Sequence, residues 1–317
     1  MDAGTHPKER PAPTGSRFAA FLDNDLVRLF LGSKVSMLAA LVTAIIVLSA
    51  AFAPWIAPHD PFDLRQLSLL DSHMPPAWAA EGDRRFLLGT DDQGRDIFST
   101  ILYGSRISLV VGILSVMFAA SLGIALGLTA GYLGGAMDSF IMRAADVQIT
   151  FPAILIALLI DGTVRALFGE GRNEEMVFWV LVVSIGLSSW VNYARTVRGS
   201  TLVEKNKDYV LAARLIGLHP ATILFRHVLP NVMGPVLVIA TINLATAIIL
   251  EATLSFLGVG LPPTQPSLGT LISIGNKFLF SGEWWIAIFP GITLAALVLA
   301  VNLLGDWLRD AFNPKLR

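Results

Sequence analysis

"DYVLAARLIGLHPATILFRHVLPN", residues 208–231, is a polar, turn-interrupted segment set between two strongly apolar runs. Tyr209, Ala212, Ala213 and Ile216 share one helical face by their i, i+3, i+4, i+7 spacing. Gly217 suits the left-handed residue that ends such a helix. Pro220 suits the first turn of a second helix, and Pro230 marks the entry into the next apolar run. The spacing predicts two short helices meeting at an elbow, with small residues on the first and bulky ones on the second. An elbow of this kind can present an apolar knob to a groove on a soluble partner. Composition alone favours an ordinary interfacial loop with no partner.

The flanks of the elbow define the fold. The chain is 54% hydrophobic and 15% charged over 317 residues, against about 25% charge in soluble domains. Windows free of Asp, Glu, Lys and Arg fall at 35–57, 107–137, 147–160, 176–194, 228–250 and 284–305. About 20 apolar residues span a bilayer, because roughly 30 Å of hydrocarbon is crossed at 1.5 Å per residue. The third window is short, but "SFIMRAADVQITFPAILIALLI" lengthens it back to Ser139. The expectation is an all-α integral membrane protein with six transmembrane helices.

Lys and Arg placement orients the helices. With the N-terminus inside, segments 1–34, 138–146, 195–227 and 306–317 hold 15 of the 23 basic residues. The exception is the external loop 58–106, in which five Arg are outnumbered by eight acids. The chain then divides into a cytoplasmic tail 1–34, a first span 35–57, the external loop 58–106, a five-helix core 107–305 with cytoplasmic loop 195–230, and a cytoplasmic tail 306–317. Within the first tail, residues 17–34 alternate apolar and charged positions at helical spacing and suit a helix lying on the membrane surface. A plain extension of the first span fits equally well.

Several chemistries are excluded. There is no Cys, hence no disulfide, thiolate catalysis or Cys-ligated metal. The five His lack metal-ligand spacing, so no metal site is expected. No G-x-x-x-x-G-K-[ST], H-E-x-x-H or G-x-S-x-G occurs. No catalytic residue is assigned, and the net charge of −1 gives no reason to expect nucleic acid.

The elbow resembles the "EAA" loop of ABC importer permeases: E-A-A, three residues, Gly, nine residues, then apolar-x-Leu-Pro. Ala212, Ala213, Gly217, Leu229 and Pro230 stand at those positions. Leu211 stands where the family has Glu, and His227 takes the apolar position; Asp208 or Glu204 offers a substitute carboxylate. A second stretch, "LLGTDDQGRDIFSTILYGSRISL" at 87–109, is similar to a signature of the dipeptide/oligopeptide/nickel permease family. Further matches are "GYLGGAMDSFIMRAADV", "EATLSFLGVGLPP" and "GDWLRDAFNPKLR". The N-terminal layout looks like the C-type of the two permease subunits.

The resemblance implies a type I ABC importer transmembrane domain in a bacterial inner membrane, importing di- or oligopeptides. It implies a heterodimer with a second permease, two cytoplasmic ATPases that carry ATP and Mg²⁺, and an external solute-binding protein. Asp208, Leu211, Ala212, Ala213, Gly217, His219, Arg226 and Pro230 would couple the chain to its ATPase. Nickel chelates, glutathione or another small peptide-like solute are alternative cargoes. An ion-driven secondary transporter is the competing class; it predicts inverted repeats and ionisable residues at the midplane.

Other residues stand out. Gly89, Thr90, Asp91, Gly94, Arg95 and Asp96 read as a charged knot shaping the external loop, or as a partner contact. Glu251 follows a long uncharged run, and a carboxylate in a membrane is by default a functional candidate. It lies toward the outer end, where it could also reach water. Thr241, Asn243 and Thr246 on the same span could line a pathway or bind helices together. Gly123, Gly127 and Gly131 mark a close helix contact, within the chain or with the second permease. Trp284 and Trp285 sit where an interfacial aromatic belt is expected.

Overall fold

The computed structural model describes residues 30–63, 65, 67–169 and 173–311. Most of the surface-helix segment 17–34 and the tail from 312 onward lie outside these residues. Among the described residues there is no strand, only an isolated bridge between Thr90 and Asp96.

The helices are α1 (Lys34–Ala51), α2 (Ile97–Leu133), α3 (Gly135–Ile149), α4 (Ala153–Phe168) and α5 (Glu174–Glu204). They continue with α6 (Asp208–Leu215), α7 (Pro220–Phe256), α8 (Leu268–Phe278) and α9 (Trp285–Ala311). Five of them, α1, α2, α5, α7 and α9, are long and apolar enough to cross a membrane. Among the described residues the count reaches six if the pair α3 and α4, bent by 93°, is one broken span and not a re-entrant loop.

That bend departs from the straight span read from residues 139–160. Pro152 cannot donate a backbone hydrogen bond, and it pushes Phe151 out of the helical region. The break is braced from α5: Trp190 Nε1 donates to Gln148 Oε1 at 2.6 Å, and Gln148 Nε2 donates to the Leu187 carbonyl. A second difference lies at the start of α2, which begins at Ile97, within the segment assigned to the external loop. Asp96 caps it, accepting from Ser99 N at 2.9 Å, and Arg106 simply projects from the helix surface.

The most extensive contact is α2 against α5. Gly123, Gly127 and Gly131 form the seam. A Cβ on Gly123 would lie 2.4 Å from Tyr193 Cβ, and one on Gly127 2.6 Å from the Ala194 carbonyl. The glycine stripe therefore serves a contact within the chain. At its C-terminal end Arg198 grips both Asp138 oxygens, and Lys205 Nζ donates to the Gly131 carbonyl at 2.7 Å. The helix α7 packs on α2, α5 and α9, and α1 lies outside against α9 and α2. At 11 residues, α8 is about 16 Å long and cannot cross the bilayer. It nests between α7 and α9.

Candidate functional site: the elbow and the outer knot

The elbow forms as the glycine and prolines dictate. The helix α6 ends in a Schellman motif: Gly217 N donates to the Arg214 carbonyl at 3.0 Å and Leu218 N to the Ala213 carbonyl at 3.1 Å. Gly217 has φ +77°, which L side chains resist. His219 caps the next helix, its Nδ1 accepting from Ala221 N at 3.3 Å, and Pro220 opens it. Residues Ile223–Val228 form a π-turn, with Leu229 N reaching the Leu224 carbonyl. Pro230 has no N–H to continue the α-helical ladder, and the π-turn absorbs this mismatch.

The base of the elbow is buried. Val210, Ala213, Ile223 and Val228 join Ala119 and Leu128 of α2, Tyr193 and Val197 of α5, and Val232 and Val236 of α7 in one apolar cluster. This corrects the face read from spacing: Val210 and Ala213 point inward, while Tyr209, Ala212 and Ile216 are exposed. Only one of the two alanines sits at a close contact. The tip shows Leu211, Leu215, Ile216 and Phe225 to solvent, with Leu215 87% exposed. Asp208 and Arg226 are exposed beside them.

Side-chain ties stiffen the base. Asn231 Nδ2 donates to Tyr209 Oη at 3.1 Å and to the His227 carbonyl at 2.7 Å. The Arg214 guanidinium lies 5.1 Å over the Tyr132 ring of α2. Glu204 is buried and its Oε1 accepts from Lys207 Nζ at 2.8 Å, a hydrogen bond that raises the Lys207 pKa. Glu204 thus clamps the α5–α6 link, which leaves Asp208 as the outward-facing acid near Leu211.

The residues of the charged knot turn inward. Arg95 Nε meets Asp91 Oδ2 at 2.6 Å, both side chains nearly inaccessible. Asp91 Oδ1 also accepts from Gln93 N and Arg95 N, each at 2.9 Å, and Arg95 Nη1 donates to the Pro263 carbonyl at 2.8 Å. Thr90 Oγ1 donates to the Asp71 carbonyl at 2.6 Å and accepts from Met74 N. Gly89 and Gly94 have positive φ, and a Cβ on Gly94 would stand 2.4 Å from the Ser68 carbonyl. Trp285 Nε1 donates to the Thr90 carbonyl at 3.1 Å, and its ring is buried. Trp285 is therefore part of the knot and not a lipid anchor; Trp284 remains exposed. Burial raises the Asp92 pKa, and the neighbouring Asp91 charge adds to it.

Glu251 does not reach water. It is fully buried, accepting from Ser108 Oγ of α2 and from Ser255 Oγ, each at 2.7 Å. Leu268 N, at the start of α8, donates to Ser108 Oγ at 3.3 Å. Three helices meet on this carboxylate, a junction no local sequence signal marks. Thr241 faces α9 at Gly305, and Asn243 is buried beside Tyr193 of α5. Of Thr241, Asn243 and Thr246, only Thr246 is exposed. No group of three or more His, Cys, Asp or Glu that could hold a metal ion occurs among the described residues.

A long α2 sealed to α5, a bent α3–α4 pair and an elbow that opens α7 make up the fold. Residues 123–317 match the family described as "Binding-protein-dependent transport system inner membrane component". Residues 24–76 match the N-terminal TM domain of oligopeptide transport permease C. The chain belongs to the binding-protein-dependent transport system inner membrane component family.

Individual relatives agree. The di/tripeptide transport system permease protein DppC of Pseudomonas aeruginosa is 39% identical over 91% of this chain and 90% of its own length. The dipeptide permease DppC of Haemophilus influenzae is 38% identical over 90% and 91%. The glutathione transport system permease protein GsiD of Pectobacterium atrosepticum is 39% identical over 92% and 90%. A chain of the inward-facing MetNI methionine ABC transporter shares the fold with TM-score 0.53 at 18% identity, covering 67% of this chain and 96% of that one. The all-α membrane architecture of a type I importer, expected from the sequence, is the architecture observed.

Proposed function

We propose that the chain forms half of the translocation pathway of an ATP-driven importer of di- and oligopeptides and is coupled to a cytoplasmic ATPase through residues 208–230. The observation that carries this reading is the elbow: an exposed apolar tip of Leu211, Leu215, Ile216 and Phe225 on a base locked by Val210, Ala213, Ile223 and Val228. A tip on such a base transmits displacement to α2, α5 and α7 as a rigid lever. A floppy tip would absorb it. The peptide cargo rests on the relatives, which are di/tripeptide and dipeptide transport permeases.

In this reading both termini are cytoplasmic and the membrane is the bacterial inner membrane. The partners are a second permease, two ATPases that hold ATP and Mg²⁺, and an external solute-binding protein. The chain itself hydrolyses nothing and binds no cofactor. Glutathione, a small peptide, is the second cargo reading, because a glutathione permease is as similar as the dipeptide permeases. Co-expression with candidate partners and purification in detergent tests the assembly. Retention of the second permease and two ATPases supports it; a chain that transports alone in liposomes without ATP overturns it. Binding measurements on the cognate solute-binding protein separate the cargoes.

A further inference from the structure

The ends of α4, α5, α7 and α8 surround a cavity of about 460 Å³ beside the charged knot. The two features share Pro263: its carbonyl accepts from Arg95, and its side lines the cavity. Small-ligand pockets run from about 300 to 1,000 Å³, so the volume is sufficient for a short peptide. Its lining is unusual for a membrane helix bundle. Arg165, Glu174 and Lys277 face the cavity together with the hydroxyl residues Thr270 and Ser273. All three charged side chains are exposed, near the ends of α4, α5 and α8, so the cavity is open to water.

The charges are held differently. Arg165 Nε pairs with the buried Asp161 at 2.5 Å, and its Nη2 donates to the Gly258 carbonyl at 3.2 Å. Glu174 is fixed by neutral donors, Thr264 Oγ1 at 2.6 Å and Gln265 Nε2 at 2.8 Å. These set the carboxylate's position without cancelling its charge. Lys277 stands exposed on α8. The wall from α5 thus offers an oriented anion, and the wall from α8 offers a cation.

We propose that this cavity is a receiving site for a free short peptide, with Glu174 holding the α-ammonium and Lys277, aided by Arg165, the α-carboxylate. A zwitterion separated by one or two residues of backbone carries these two charges, and a neutral or singly charged solute does not. The site rests on the importer reading given above and narrows its substrate to peptides with both termini free.

The test uses the complete assembly in proteoliposomes, with radiolabelled alanylalanine as the probe. Glu174→Gln and Lys277→Gln are compared with the unaltered chain and with Asn276→Ala, an exposed neighbour as control. Two readouts are taken: peptide uptake, and stimulation of ATP hydrolysis by the loaded binding protein. Each charge-removing variant loses about tenfold in uptake, the equivalent of one charge-assisted contact, while ATPase stimulation persists. Lys277→Gln alters an exposed side chain, so it remains informative if Glu174→Gln assembles poorly. Unchanged uptake in both variants overturns the cavity assignment. Parallel loss of ATPase stimulation also overturns it, because the charges then seat the binding protein. An unaltered assembly that imports no dipeptide overturns the importer reading itself, a distinct outcome from an active assembly indifferent to both substitutions.

Discussion

Ser108 Oγ donates a 2.7 Å hydrogen bond to Glu251 Oε2 across 143 residues of sequence. Ser255 binds the other carboxylate oxygen, and Ser108 in turn accepts from the first amide of α8. One buried carboxylate thus ties α2, α7 and the short α8 into a single junction. A buried acid is tolerated at such a point because every neighbouring donor finds an acceptor.

Removing that acceptor should loosen the junction. Glu251→Leu leaves two hydroxyls without their partner at a cost of about 1–3 kcal/mol each, so thermal unfolding in detergent should fall by several degrees. Glu251→Gln keeps an acceptor and should fall less. Equal melting temperatures for the unaltered chain and Glu251→Leu would refute the junction.

The glycine seam gives a second expectation. Gly123→Ala places a Cβ 2.4 Å from Tyr193 Cβ, and overpacking of this kind costs about 1–3 kcal/mol. Gly162→Ala on α4 meets nothing within 4 Å and should stabilise by about 0.5–1 kcal/mol through helix propensity. Melting temperatures of the two variants should move in opposite directions.

The knot supplies a third. Leaving Arg95 buried without Asp91 costs about 3–5 kcal/mol, so Asp91→Ala should destabilise more than any exposed substitution in the loop. Asp91→Ala with Arg95→Met should recover part of the loss. Additive single and double variants would show that the pair is not coupled.

A pH dependence follows from Asp92. Burial, with the Asp91 charge behind it, raises the Asp92 pKa in the folded chain. Its proton is bound more tightly folded than unfolded, so its contribution favours folding at low pH and is lost as pH rises through the folded pKa. Asp92→Asn should therefore be more stable than the unaltered chain at neutral pH. The gain should vanish on acidification below the usual carboxylate range. A gain independent of pH would point to packing and not to charge.

Local chemistry made much of this legible. Gly217, Pro220 and Pro230 announced the elbow because turn residues act through their own backbones. The knot residues read as a charged knot, with a partner contact as the alternative, and their side chains do turn inward on one another. What failed were properties set by distant contacts. An eight-residue helix is too short for periodicity to choose between Val210 and Ala212, and packing on α2, α5 and α7 decided it. Trp285 looked like a membrane anchor until Thr90, 195 residues away, turned out to accept its N–H. Glu251 lay in plain view, but Ser108 and the α8 amide that bury it are not its neighbours in sequence. Pro152 was visible too, although hydropathy counted through the bend it makes.

The central claim is that the elbow tip transmits ATPase movement to the helix bundle. Its most direct test is ATP-driven uptake, measured alongside ATPase retention, for Leu215→Glu in the reconstituted assembly. The side chain at 215 is 87% exposed and supports nothing within the chain. The account predicts a folded permease with an unchanged melting temperature that loses its ATPases, or keeps them with hydrolysis no longer tied to uptake. Full ATPase retention with uptake at the unaltered rate would contradict it.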